Sequence, residues 1–221
     1  MYENIINDQE IIKLYQEISE YEEMTGGWAH HDFNHVSNVA KMVEKILEQL
    51  QYDRQFIEEA KIAAILHDMG SLQGKENHAN RSYELAQNYF ERKAIKMKNE
   101  ELVLEAIRIH SDGFETDNIM ALALILADKL DIKKTRLARA GYGVEGLNEI
   151  QHIEEIQVTI DSEQLVITFV ANEDMDLLKL ESFYFIPKVF KSIRNFSKKL
   201  NLQPCVLLNN QPWNLNLDEI K

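Results

Sequence analysis

Between residues 8 and 132 the chain has no proline and few glycines, and its apolar residues recur at helical spacing. Proline removes a helix hydrogen bond and clashes with the preceding turn, and glycine costs backbone entropy. A long segment free of the one and sparing of the other reads as packed helices, not as strands alternating with helices. The spacing predicts helices over residues 8–24, 33–51, 54–67, 80–92, 98–110 and 117–132. The first has Ile11, Ile12, Leu14, Tyr15 and Ile18 on its apolar face and ends at Thr25-Gly26-Gly27, where glycine tolerates the conformation that follows a helix.

The pattern changes after Gly141-Tyr142-Gly143-Val144-Glu145-Gly146. Two β-branched runs, 156–160 and 165–170, flank Asp161-Ser162-Glu163-Gln164 and read as a hairpin. A long helix over 174–200, disturbed at Pro187, follows. The expected fold is mainly α: a helical domain over 1–140 and a C-terminal extension over 141–221, a small β-hairpin with a long helix. A lone hairpin is marginal in water, so the extension should pack on the helices.

The chain of 221 residues is long enough to bury a core unaided. Its 37 acidic and 24 basic residues leave a formal charge of -13, a field that repels polyphosphate backbones and argues against nucleic-acid polymers as partners. Small phosphorylated molecules remain admissible at a locally positive site. The lone Cys205 allows no intrachain disulfide and reads as a partly buried apolar residue. No basic-then-apolar leader is visible at the start, and no uncharged apolar run approaches about 18 residues, so a cytoplasmic protein without membrane contact is expected.

The chemistry concentrates at His67-Asp68, which closes the apolar run Ala60-Lys61-Ile62-Ala63-Ala64-Ile65-Leu66. Two such groups at the end of a buried helix are costly unless a cation or hydrogen-bond partners compensate them. Partners are at hand in His35, within Asp32-Phe33-Asn34-His35-Val36-Ser37-Asn38-Val39, and in Asp128, within Leu124-Ile125-Leu126-Ala127-Asp128-Lys129-Leu130-Asp131. Asp128 follows a stretch with almost no polar face, so its carboxylate should be paired. The order His, His-Asp, Asp, each in helix-like apolar sequence, resembles the HD-domain metal-dependent phosphohydrolases. The glycine two places after the His-Asp pair, Gly70, and the Ala127-Asp128 setting extend that likeness.

The resemblance implies a helical HD fold, a divalent metal held by His35, His67, Asp68 and Asp128, and hydrolysis of a phosphate ester or anhydride. Subgroups that hold two metals carry extra histidines in the intervals where His78 and His110 stand. The likeness therefore implies a second ion on those two residues, with Asp68 bridging. A histidine near a helix C-terminus also interacts favourably with the dipole, and a loop histidine can be solvated. His30 and His31 match no ligand block and are left out of the metal set, with a place lining the pocket open to one of them; His152 reads as a surface residue.

Lys129 follows the last ligand directly, and helical spacing would set Lys129, Arg136 and Lys133 on neighbouring faces, with Arg139 beyond. Lys129 and Arg136 are thus candidates to clamp a phosphate, against the alternative of a solvated basic face. Many HD-domain proteins carry an arginine shortly after the first histidine, and this chain has Asn38 there, so another residue would have to serve.

The expected activity is attack of a metal-activated water on a small, nucleotide-like phosphorylated substrate, with His67, Asp68 and Lys129 as the catalytic group. One or two divalent ions are expected; iron or manganese suits the donor set best, with magnesium, nickel, cobalt and zinc also open. The rival readings are a non-catalytic nucleotide sensor on the same fold and a helical scaffold with structural histidines. A homodimer is compatible with the sequence but not required by it.

Overall fold

The computed structural model describes residues 1–214. Its helices are α1 (Tyr2–Ile6), α2 (Gln9–Thr25), α3 (Phe33–Gln49), α4 (Arg54–Leu66), α5 (His78–Arg92), α6 (Glu100–Ile109), α7 (Ile119–Leu130), α8 (Leu177–Ser182) and α9 (Ile186–Leu200). Strands β1 (Ile153–Ile160), β2 (Gln164–Ala171), β3 (Gln203–Leu208) and β4 (Gln211–Pro212) form one sheet in that order. The protein is therefore mainly α with a small C-terminal sheet, as the periodicity predicts.

Local signals set the helix starts. The side chains of Asp8, Asp32, Asp53 and Asn118 accept from backbone N–H groups in the first turns of α2, α3, α4 and α7, filling donors that a helix start leaves open. Gly26, in the left-handed region at φ 75°, ends α2. Helix α7 is central: from Met120 to Leu130 every side chain but Asp128 is buried. It packs against α3, α4, α6 and α9. Buried residues from α1 to Trp213 form a single core cluster.

Two expectations about the C-terminal part need correction. The long helix over 174–200 is two helices, interrupted at Phe183-Tyr184-Phe185, with Pro187 in the first turn of α9. Proline is tolerated in a first turn because the missing N–H would have had no helical partner there, so Pro187 opens a helix and does not kink one. The expected hairpin is real: β1 and β2 pair antiparallel from Ile160–Leu165 to Ile153–Ala171. It is, however, part of a larger sheet. Strand β3 pairs parallel with β2, from Gln164–Gln203 to Phe169–Leu208, and β4 adds to β3. A parallel partner requires a crossover connection, and α8 with α9 supplies it.

The sheet buries one face. Leu165, Ile167, Phe169 and Ala171 of β2 point to the core, and Trp213 packs edge-on against Phe169 and Phe190 at 5.0 and 5.1 Å between ring centroids. Gln49 at the end of α3 bonds to Val158 and Ile160 of β1, tying sheet to helices. Among the described residues no helix is long and apolar enough to cross a membrane.

Candidate metal centre

Helix ends converge on one point. Asp32 caps α3 by accepting from His35 N–H at 2.8 Å, which fixes His35 in the first turn. His67 closes α4, and Asp68 leads into a short 3-10 turn, Met69–Gln73. His78 starts α5, His110 closes α6, and Asp128 lies in the last turn of α7. The turn after Asp68 lies directly on the start of α5: a Cβ at Gly70 would sit 2.4 Å from the His78 carbonyl oxygen and 2.6 Å from Ser82 N. Glycine is required there because the backbones touch. Gly70 N–H donates to Ser82 Oγ at 2.9 Å, and Arg81 Nε donates to Gly70 O at 2.8 Å, locking His78 beside Asp68.

All six residues expected as ligands come together. His35 Nε2 is 3.3 Å from Asp128 Oδ1 and 3.6 Å from Asp68 Oδ2, while His67 Nε2 is 3.4 Å from Asp68 Oδ2 and 3.7 Å from Asp128 Oδ1. The other carboxylate oxygen, Asp68 Oδ1, faces His78 Nε2 at 3.3 Å and His110 Nε2 at 3.8 Å. Asp68 thus offers one oxygen to each pair of histidines.

The second nitrogen of each ring fixes its orientation. The Nδ1 atoms of His67, His78 and His110 lie 2.7–2.8 Å from the carbonyl oxygens of Ala64, Lys75 and Ile107. His35 Nδ1 lies 2.7 Å from Asp131 Oδ2. A carbonyl or carboxylate can only accept, so Nδ1 carries the hydrogen and Nε2 presents its lone pair to the centre. Asp131 is the orienting partner that sequence reasoning passed over; its position three residues after Asp128 was the available signal.

The donor set fits divalent cations. Among the described residues His35 Nε2 and His67 Nε2 are buried with no hydrogen-bond partner, an arrangement that costs free energy unless something binds there. His78 Nε2 and His110 Nε2 are 2.9 Å apart, and two lone pairs so close repel unless a proton or a cation accepts them. Potential ligand atoms of His35, His67 and Asp128 lie within 4.8 Å of one another, as do those of His67, Asp68 and His110. Mixed imidazole and carboxylate donors suit first-row divalent ions.

Electrostatics agree with that fit. Burial would raise the Asp68 and Asp128 carboxyls, but Lys75 and the imidazoles around Asp68, and Lys129 with His35 and His67 around Asp128, hold both well below the usual carboxylate range. Burial and Arg136 oppose a charge on His35, yet the carboxylates of Asp128, Asp131 and Asp68 override them and push it up to about 9, so that without a cation a proton sits on Nε2 in the cation's place. The carboxylates therefore hold negative charge that seeks a cation.

The centre opens into a cavity of about 970 Å³. Lys129 and Arg136 both line it. Lys129 Nζ donates to Asp128 Oδ2 at 2.7 Å, and Arg136 is buried with Nη1 unpartnered among the described residues. The helical argument for Arg136 needs correction, because α7 ends at Leu130 and Arg136 sits in a separate 3-10 turn, Lys134–Arg136. It reaches the cavity because its strand-like neighbour pairs with the chain before α3: Ala29 bridges Leu137, and His30 N–H donates to Arg136 O at 2.8 Å. Lys133 and Arg139 do not line the cavity.

No signal in the sequence pointed to Lys75, whose Nζ lies 3.2 Å from Asp68 Oδ1 and 3.0 Å from Ser71 Oγ, or to Glu22 as the partner of His31, which takes the place on the cavity wall left open to one of the two early histidines. Glu22 is buried at the end of α2 and accepts from both the backbone N–H and Nδ1 of His31, which faces the cavity. His30 does not line it, and His152 is half-buried away from it.

Residues 32–133 match the family model of the HD domain. No curated protein matches the chain. His35, the His67-Asp68 pair, His78, His110 and Asp128 all fall inside the matched span and meet at one centre, so residues 32–133 are similar to an HD domain in sequence and in the placing of its histidines and aspartates.

Proposed function

We propose that this protein is a metal-dependent phosphohydrolase that cleaves a phosphate ester or anhydride bond in a small, nucleotide-like molecule. The observation that carries the reading is the pair of buried, unpartnered Nε2 atoms of His35 and His67, aimed at the carboxylates of Asp68 and Asp128 on the wall of an open cavity. His35, His67, Asp68 and Asp128 would hold one ion, and His78, His110 and the second oxygen of Asp68 another. Divalent cations bound there would supply Lewis acidity toward water and toward the negative charge that develops on phosphoryl oxygens.

The chain's own residues do the rest. Asp131 and the carbonyls of Ala64, Lys75 and Ile107 hold the imidazoles in one tautomer, so no reorganisation is needed as charge develops. Lys75, Lys129 and Arg136 stand around the carboxylates as cations for phosphate oxygens. Arg136, buried and with Nη1 free of a protein partner, takes the part left vacant by Asn38. These side chains give an acidic protein a local positive field around its anion site.

The test is phosphate and nucleoside release from a panel of nucleotides, dinucleotides and cyclic diesters, using anaerobically prepared protein with Mn²⁺ or Fe²⁺, beside Asp68→Ala. Turnover that disappears in Asp68→Ala is the expected result. Full activity in that variant would overturn the assignment. Binding of nucleotide by metal-loaded protein without any turnover would replace it with the sensor reading.

A further inference from the structure

Two large aromatic side chains that the core does not use lie on the wall of the same cavity. Trp28 is 47% exposed and Tyr184 63% exposed, and both line it. Neither lies in the span similar to an HD domain: Trp28 precedes residue 32, and Tyr184 comes from the break between α8 and α9. Exposed aromatic surface costs hydration free energy, so two such rings facing one cavity ask for an apolar occupant.

The cavity also says what the occupant is joined to. Phe185, next to Tyr184, has its ring centroid 5.8 Å from Lys129 Nζ, and that ammonium is 2.7 Å from Asp128 Oδ2. The aromatic wall is therefore continuous with the metal ligands through one lysine. The volume of about 970 Å³ lies at the upper end of ligand pockets and far exceeds the needs of a phosphate group alone.

The backbone of Trp28 and the ring of Tyr184 each have support from behind. Trp28 O accepts from Ala138 N at 3.1 Å, and a Cβ at Gly141 would approach that same oxygen to 2.2 Å, so a bare backbone is needed to back the tryptophan. Phe183, itself buried, packs its ring 4.8 Å from that of Tyr184. Lys188 lies 5.9 Å from the Tyr184 centroid and adds a cation beside a ring face.

We infer that Trp28 and Tyr184 form a stacking subsite for the planar base of a nucleoside phosphate whose phosphate group lies at the Asp68 centre. The inference rests on the phosphohydrolase reading for its phosphate end only. A base has a polar edge as well as a flat face, and Asn77, Asn80, Ser111 and Asp112 on the cavity wall offer partners for that edge.

The experiment uses the full chain loaded with Mn²⁺ and two probes, AMP and ribose 5-phosphate, which differ by the base. Stacking of a base on an aromatic side chain is worth roughly 1–3 kcal/mol, or about 5- to 150-fold. The wild type should prefer AMP in kcat/KM by at least about tenfold. Trp28→Ala and Tyr184→Ala should each lower that preference about tenfold, chiefly through KM, and Trp28→Phe should restore most of it. Independently of turnover, AMP should quench the emission of exposed Trp28, a signal absent from Trp28→Phe, where only buried Trp213 remains. Quenching without hydrolysis would sustain the base subsite and exclude AMP as the molecule cleaved, leaving the hydrolase to the wider panel of dinucleotides and cyclic diesters. Hydrolysis with no preference for AMP, or a preference unmoved by both alanine variants, would overturn the subsite and leave the hydrolase standing.

Discussion

The two ends of the cavity are built in different ways. At the metal end the side chains come from the ends of α3, α4, α5, α6 and α7, and each imidazole is tied through Nδ1 to a fixed acceptor. At the aromatic end Trp28 and Tyr184 project from a loop and from an interhelical break, and neither ring is covered. Buried, over-determined side chains suit a reaction that demands fixed positions, whereas an exposed wall can change with the ligand without disturbing the reacting groups. In the proposed reading the helix ends set the reaction class, and the segments that flank the matched span set selectivity.

The sharpest way to break this comparison is His67→Ala. It removes a fully buried donor from the shared metal end, and both bound metal, by elemental analysis, and turnover should fall to background. Retention of either would mean that the centre is not organised as described. Phe169→Ala should do the opposite. It opens a hole beneath Trp213 in the sheet and costs about 3–5 kcal/mol in denaturant unfolding. The metal bound per folded molecule should stay the same, and a loss of metal would show that the sheet supports the centre directly.

A smaller effect is expected at Asp131→Asn. The amide can still accept from His35 Nδ1 but carries no charge, so metal affinity measured by competition with a chelator should weaken by about 10- to 100-fold. An unchanged affinity would reduce Asp131 to a packing residue.

The smallest effect lies away from both ends. Asp8 caps α2, accepts from Tyr89 Oη at 2.8 Å and pairs with Lys93 at 2.7 Å. The hydrogen bond from Lys93, foremost, and that from Glu10 N–H lower its carboxyl to about 2. A depressed carboxylate stabilises the folded state above its unfolded value of 3.8 and loses that contribution as pH falls through about 2. Asp8→Ala should cost about 1 kcal/mol at neutral pH. The gap between variant and wild type in thermal midpoint should close between about pH 4 and pH 2, while metal binding at neutral pH is untouched.

How far the sequence could be read follows from which forces act locally. Helices α2 to α7 were legible to within a few residues because their caps and apolar stripes are written in consecutive positions. The reach of residues 33–51, 54–67 and 117–132 shortened to α3, α4 and α7 because the last residues turn away to make caps and turns. Strand β3 was not legible. Its partner β2 lies on the far side of α8 and α9, Gln203-Pro204-Cys205-Val206-Leu207-Leu208 has no clear alternation, and the Asn209-Asn210 turn after it leads only to the two-residue β4. The break at Phe183-Tyr184-Phe185 was hidden for the opposite reason, since three aromatics continue an apolar helix pattern until Pro187 restarts it.

The sequence placed the candidate donors along the chain, and the resemblance to HD-domain proteins joined them into one expected set. His35, His67, Asp68, His78, His110 and Asp128 carry their types and their places at helix ends in the order of residues alone, because caps and helix periods are short-range. Only the tertiary structure decided that Asp68 turns one oxygen to each histidine pair, that Asp131 orients His35, and that Lys75, Arg136, Trp28 and Tyr184 share one cavity. Those contacts join residues dozens of positions apart, and they exist because one buried core packs the helices and the sheet together, a condition that no local window of sequence contains.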